Sequence, residues 1–251
     1  MPKARSNKLQ RSLPKKLIAI GNKDKEFHEQ WEVGRDPLNF PHPFRVCLSG
    51  PPNTGKSTCV KNIILRANPR FKRVTIIHAD PQRKIPKGDG NPDEQKGTHE
   101  YEDLGEHGVE MREDIPNPSE FDSSEKTMVV IDDIDLASMT KAQRSAADRL
   151  LGYVSTHKNI SVCVCLQDFF RCPVNLRRNC NVFVIWNNPD KSSMGTLGKR
   201  LGIPNFAEFM EENCPEKHDS LWKDETHRTP YPWRFNGYDL FHFNNEESDS
   251  D

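Results

Sequence analysis

Eight consecutive residues, Gly50-Pro51-Pro52-Asn53-Thr54-Gly55-Lys56-Ser57, have the form G-x-x-x-x-G-K-S. The setting gives that pattern its meaning, because a strand-like run (Phe44-Arg45-Val46-Cys47-Leu48) precedes it and an amphipathic stretch follows. Gly50 and Gly55 allow the tight wrap that aims backbone N–H groups at phosphate oxygens, and the N-terminus of the next helix adds positive potential. Lys56 is placed to reach β- and γ-phosphates and Ser57 to ligate Mg²⁺. Pro51, Pro52, Asn53, Thr54 and Thr58 complete the set expected around the nucleotide. The chemistry implied is binding of ATP with Mg²⁺, followed by hydrolysis.

A second signal is Asp132-Asp133, which closes the apolar run Thr127-Met128-Val129-Val130-Ile131. A carboxylate at that end of a buried strand can hold Mg²⁺ through water, the role expected for Asp132. Asp133 is then the candidate general base for the attacking water. Asp135 is a weaker candidate, and a polar turn capped by Asp133 or Asp135 is the competing reading. Gln167 ends another apolar run, Ile160–Leu166, where α/β sheets bind ligands. Its amide is no base, so its expected role is to position water and sense the γ-phosphate, against the alternative of a surface glutamine. Arg177-Arg178 precede a further strand-like run, Val182–Trp186. An arginine from a neighbouring subunit can stabilise a transferring phosphoryl group, and Arg178 is preferred to Arg177, with ordinary surface charge as the alternative. His78 and Asp80, after the run Arg73–His78, could touch the site or only pack and cap. His42, between Pro41 and Pro43, and the tryptophans Trp186 and Trp233 are expected to be structural.

The elements that must position these groups follow from periodicity. The five apolar runs alternate with helical patterns at Ser57–Ala67 (Val60, Ile63, Ile64 and Ala67 on one face) and Lys141–Thr156 (stripe Ala142, Ala146, Leu150, Val154). Thr140 and Gln143 have capping-box spacing. Short helices are expected over Ser193–Leu201 and Asn205–Glu212. Strands alternating with helices give an α/β fold with a mainly parallel central sheet flanked by helices. Residues 81–126 are rich in Pro, Gly and charge and read as a long surface insertion; its Lys and Arg residues could line a DNA channel, with a solvated loop as the default reading.

The chain has 251 residues, 34% hydrophobic and 29% charged, with net charge −1. The whole molecule is therefore no polycation, and any nucleic-acid contact must come from local patches. The domain reading is a basic arm over 1–40 (Lys3, Arg5, Lys8, Arg11, Lys15, Lys16), a P-loop core over 41–213, and a C-terminal extension over 214–251 with an acidic tail (Glu246, Glu247, Asp249, Asp251). Seven cysteines without regular spacing fit a reducing, intracellular compartment. Cys163 and Cys165 are expected to act as small buried hydrophobes rather than zinc ligands. No apolar run approaches a membrane span.

Taken together, the P-loop, Asp132-Asp133, Gln167 and the segment from Cys165 to Asn179 resemble the genome-packaging ATPases of large DNA viruses. These belong to the FtsK–HerA superfamily, with the poxvirus-type enzyme as the best-known member. The resemblance covers roughly residues 44–201. It implies an ASCE/RecA-like P-loop NTPase forming a homo-oligomeric ring around double-stranded DNA, which drives a viral genome into a preformed capsid at its portal vertex. It also implies a viral assembly site in host cytoplasm or nucleus, or association with the virion. By position it assigns nucleotide and Mg²⁺ to Lys56 and Ser57, metal support to Asp132, catalysis to Asp133, sensing to Gln167 and the trans finger to Arg178. Two features depart from the pattern. Family members often carry Glu where Asp133 stands, and the loop's G-P-P-N-T-G-K-S form is common in superfamily 3 viral helicases. Those helicases keep their two Walker motifs closer than the 76 positions between Lys56 and Asp132, and use an asparagine sensor. The alternatives carried forward are a replicative helicase, a nucleotide kinase and a nucleotide-gated scaffold.

Overall fold

The computed structural model describes residues 40, 42–80, 101, 104, 108–226 and 232–241. The basic arm and the acidic tail lie outside these residues, as do Arg83, Lys84, Lys87 and Lys96 of the insertion. The described residues divide into two compact units, one ending at Asn181 and the other beginning at Val182.

In the first unit the described strands are β1 (Arg45–Ser49), β2 (Arg73–His78), β3 (Val109–Arg112), β4 (Thr127–Asp132) and β5 (Ile160–Leu166). They lie in the order β3-β2-β4-β5-β1, every pair parallel. All residues of β4 and β5 are buried, which explains their near-continuous Val, Ile and Cys content: a parallel strand is covered on both faces. Each fully buried Val or Ile contributes roughly 1.5–3 kcal/mol, so the two strands anchor the core. All seven cysteines are free thiols, six of them buried. Cys163 and Cys165 are both buried, as expected of small hydrophobes.

Helix α1 (Lys56–Arg66) buries Val60, Ile63 and Ile64, as expected, with Ala67 just beyond it. Helix α2 (Lys141–Arg149) starts at the Thr140/Gln143 capping box. It then runs through a π turn (Leu150–Val154) into a last helical turn, Ser155–His157. The buried face differs from the expected stripe in the first half of the helix. Ala142 is exposed and Ala146 half-buried, while Ala147, Leu150, Leu151 and Val154 face the core. The buried set has ordinary i, i+3, i+4, i+7 spacing, whereas the strict i, i+4 ladder of the expectation drifts off one face of a 3.6-residue helix. The opened backbone leaves the Leu151 carbonyl to accept from Ser155 Oγ (3.3 Å) and from Arg45 of β1 (3.5 Å). Arg45 also donates to Ser155 Oγ (3.2 Å) and Thr156 Oγ1 (3.1 Å). Helix α3 (Val174–Asn179) closes the unit.

β3 was not expected. The segment read as an insertion sends Val109–Arg112 alongside β2 and buries Tyr101, Leu104 and Phe121. Its two described cations are engaged within the fold. Arg112 pairs with Glu120 (2.5 Å) and Glu110 (3.9 Å), and Lys126 donates to the Pro69 carbonyl (2.6 Å).

The second unit holds β6 (Val182–Trp186), α4 (Lys191–Leu201), α5 (Phe206–Asn213), β7 (Ser220–Asp224), β8 (Trp233–Phe235) and β9 (Asp239–Phe241). Strands β6-β7-β8-β9 pair antiparallel. Trp186 and Trp233 are buried; the first donates to the His218 carbonyl (3.3 Å) and the second packs on Phe241. Both are core residues, as expected. No helix among the described residues is long and apolar enough to cross a membrane.

His42 is structural too. Its Nε2 donates to the Asn159 carbonyl (3.1 Å), so Nδ1 accepts from the Ser161 hydroxyl (2.7 Å), which itself accepts from Phe44 N–H (3.1 Å). Burial, helped by the charge of Lys126, lowers the imidazole pKa from 6.5 to about 4. Between these values the unfolded chain binds a proton that the folded chain refuses, so the stabilisation is complete above pH 6.5 and is lost as pH falls toward 4. Denaturation midpoints should therefore fall with pH across this window, and less steeply in His42→Gln. Equal slopes in the two proteins would show that His42 does not carry the effect.

Candidate functional site

The parallel ladder places the site. β5 pairs with β1 up to Ser49–Leu166, and one further bond, Gly50 N–H to the Leu166 carbonyl (3.1 Å), carries the ladder into the P-loop. On its other side β5 pairs with β4, which ends at Asp132 opposite His78 of β2. The loop, Asp132-Asp133, Gln167 and His78 thus share the carboxyl edge of the sheet, where α/β proteins bind ligands.

Within the loop, Asn53 (φ 60°) and Gly55 (φ 103°) take left-handed conformations. Asparagine tolerates that region and glycine meets no Cβ clash there, so the wrap needs these residue types. Thr54 Oγ1 braces the turn by donating to the Pro51 carbonyl (2.9 Å). The Lys56 ammonium donates to the Gly50 and Pro51 carbonyls, both at 2.7 Å. Its charge is thereby folded over the loop that is expected to cradle phosphates. No side chain caps α1, whose first turn begins at Lys56-Ser57-Thr58. A cation and an uncapped helix start in one loop fit a polyphosphate.

Asp132 and Asp133 are neighbours with opposite surroundings. Asp132 is buried and accepts a hydrogen bond from the Tyr101 hydroxyl through Oδ2. Tyr101 is also hydrogen-bonded to Ser57, and burial, then Cys165 and Asp132, push its pKa well above the ordinary value. The Ser57 hydroxyl and Asp132 carboxylate thus meet at one oxygen. Two hard oxygen donors held this close suit Mg²⁺. Asp133, at φ 53°, turns out of the strand and is exposed. Its Oδ1 accepts a long bond from Gln167 Nε2 (3.5 Å), and its Oδ2 lies 3.8 Å from His78 Nε2. The buried His78 is oriented by Asp80 N–H, which donates to Nδ1 (2.9 Å), so Nε2 carries the proton facing Asp133.

Other candidates fall elsewhere. Asp135 caps its own turn, accepting from Ala137 N–H (3.1 Å), and pairs with Arg171 (3.1 Å). Arg177 stacks over Phe169 (5.4 Å) and Phe170 (5.2 Å), whereas Arg178 is exposed on α3. Sequence reasoning missed Tyr101 altogether. The available signal was the i, i+3 pair Tyr101 and Leu104, the sole apolar residues in an acidic, glycine-flanked stretch.

The left-handed backbone at Asp133 costs a non-glycine residue roughly 1–2 kcal/mol. Asp133→Gly should therefore raise stability in urea titrations by about 1 kcal/mol while deleting the carboxylate. A loss of stability would show that the Asp133 side chain contributes more to the fold than its backbone costs.

A family model for the ATPase family associated with various cellular activities (AAA) matches residues 46–191. No curated protein sequence matches the chain. Among solved structures, the sulfate complex of the genome packaging NTPase B204 from Sulfolobus turreted icosahedral virus 2 is 12% identical, with TM-score 0.52, over 81% of this chain and 100% of that one. B204 described as the DNA-packaging ATPase from Sulfolobus turreted icosahedral virus is also 12% identical, with TM-score 0.50, over 80% and 100%. These likenesses show a shared fold. A P-loop wrapped by its own lysine, a buried carboxylate at the end of β4 and a family match spanning both place the chain in the AAA family of ATPases.

Proposed function

We propose that this ATPase is a double-stranded DNA translocase that works as a homo-oligomeric ring and packages a viral genome into a preformed capsid. The observation that carries the reading is Gln167. It ends β5 between the P-loop strand and the Asp132 strand, and donates to Asp133. That is the sensor position implied by the packaging-ATPase resemblance, and a glutamine stands where superfamily 3 helicases use asparagine. The fold shared with a genome packaging NTPase supports the same choice.

In this reading Lys56 exchanges the Gly50 and Pro51 carbonyls for the β- and γ-phosphates, and the amides from Asn53 to Thr58 hold the remaining oxygens. Ser57 and Asp132 hold Mg²⁺, which when bound offsets phosphate charge. Asp133 accepts the proton of the attacking water, and Gln167 orients that water through its amide. His78 steadies the outer oxygen of Asp133. Arg178, exposed on α3, is available to a neighbouring subunit's phosphates, whereas Arg177 is occupied by two phenyl rings. DNA, the ring and a capsid portal vertex are the partners this reading requires, and a viral assembly site is its setting.

The test is ATP turnover without DNA, with single strands and with duplex. Duplex alone should stimulate. Lys56→Ala should weaken nucleotide binding about 10–100-fold, the scale of a lost charged hydrogen bond. Asp133→Asn keeps a residue tolerant of φ 53°; it should bind nucleotide normally and turn over ~10²–10⁴-fold more slowly. Stronger stimulation by single strands would favour a helicase. Phosphorylation of a small nucleotide without DNA dependence would make the chain a kinase.

A further inference from the structure

Tyr101 belongs to no nucleotide-binding motif, yet its hydroxyl is the point at which Ser57 and Asp132 meet. Its ring is 2% exposed, and its carbonyl accepts from Leu104 N–H (3.0 Å), itself anchored by a buried side chain. The contact is therefore built into the packed part of the segment between β2 and β3.

The consequence depends on the assignment of Ser57 and Asp132 as the metal-binding pair. Mg²⁺ keeps several of its waters, and a strand-end carboxylate reaches it through one of them. A water held beside the serine oxygen and donating to the carboxylate makes the same two contacts as the Tyr101 hydroxyl. The water and the phenol oxygen cannot share one place, because the phenol brings its ring with it.

We propose that Tyr101 is a positioning residue that competes with the metal for Asp132. In the nucleotide-free chain its hydroxyl occupies the place of the water that links Mg²⁺ to Asp132, so that binding of Mg²⁺ with nucleotide and release of Asp132 by Tyr101 are a single event. Nucleotide without metal leaves the Tyr101–Asp132 bond intact. Nucleotide with metal breaks it and displaces the Tyr101 side chain.

Tyr101→Phe tests this, since it keeps the ring and removes the oxygen. Calorimetric titration with ATPγS in EDTA should give the same affinity for the variant and the original chain. With Mg²⁺ present, Tyr101→Phe should bind about tenfold tighter, having no charged hydrogen bond to break. A second readout is nitration of Tyr101 in the original chain, mapped by mass spectrometry. It should be low in EDTA with ATPγS and rise with Mg²⁺. An unchanged or weakened Mg²⁺-dependent affinity in Tyr101→Phe overturns the proposal, whatever nitration shows. Asp132→Asn separates the two levels of failure. If it abolishes the Mg²⁺ dependence while Tyr101→Phe changes nothing, the metal pair stands and Tyr101 alone is misassigned. If Asp132→Asn binds Mg²⁺·ATPγS normally, the metal pair is wrong and the proposal falls with it.

Discussion

Strand β5 has parallel partners on both sides, and the rest of the site depends on that ladder. Registers with β1 and β4 fix where each neighbour ends relative to Leu166. The bond from Gly50 N–H to the Leu166 carbonyl then makes the P-loop start as an extension of the sheet rather than as a free loop. A slip of one residue in β5 would turn Val162, Val164 and Leu166 to the opposite face and move Gln167 away from Asp133. The burial of all seven residues of β5 makes such a slip costly. Core packing and site geometry are thus two readings of the same pairing.

Asp132 and Asp133 show how one strand end yields two chemical environments. Asp132 is the last residue with strand geometry and shares the protection of the sheet edge. One residue later the chain enters the left-handed region, and Asp133 is presented to solvent, His78 and Gln167. The buried oxygen is suited to hold a cation, and the exposed one to exchange a proton with water. Lys56 illustrates a related economy: its ammonium is held by carbonyls of its own loop.

Much of this was legible in the sequence. Runs such as Thr127–Asp132 and Ile160–Leu166 announce buried parallel strands because nothing else tolerates so many consecutive β-branched and apolar residues. The P-loop is legible for a different reason, since its glycines and lysine are dictated by backbone wrap and phosphate charge. β3 was hidden because Val109-Glu110-Met111-Arg112 is four residues long, edge-placed and half polar. The buried face of α2 was misphased because an i, i+4 ladder drifts across a 3.6-residue helix, and Ala142, Ala146 and Ala147 are too alike for local pattern to tell which of them faces the core. Tyr101 escaped because its role depends on two residues more than thirty positions away in either direction along the chain, and local pattern does not report such meetings. The difference between Arg177 and Arg178 likewise became visible only once Phe169 and Phe170 were placed.

The π turn has a mechanical consequence. By freeing the Leu151 carbonyl and presenting the Ser155 and Thr156 hydroxyls, it gives the guanidinium at the head of β1 three acceptors on the end of the helix that follows the acidic strand. Arg45 acts as a strut between the two segments that flank the site: the strand that feeds the P-loop and the helix that succeeds Asp133. Displacement of that helical end by a turn's width would break all three bonds at once. The unit is therefore stiff across this join, and force applied to the helix would be transmitted to the base of the loop rather than dissipated between them.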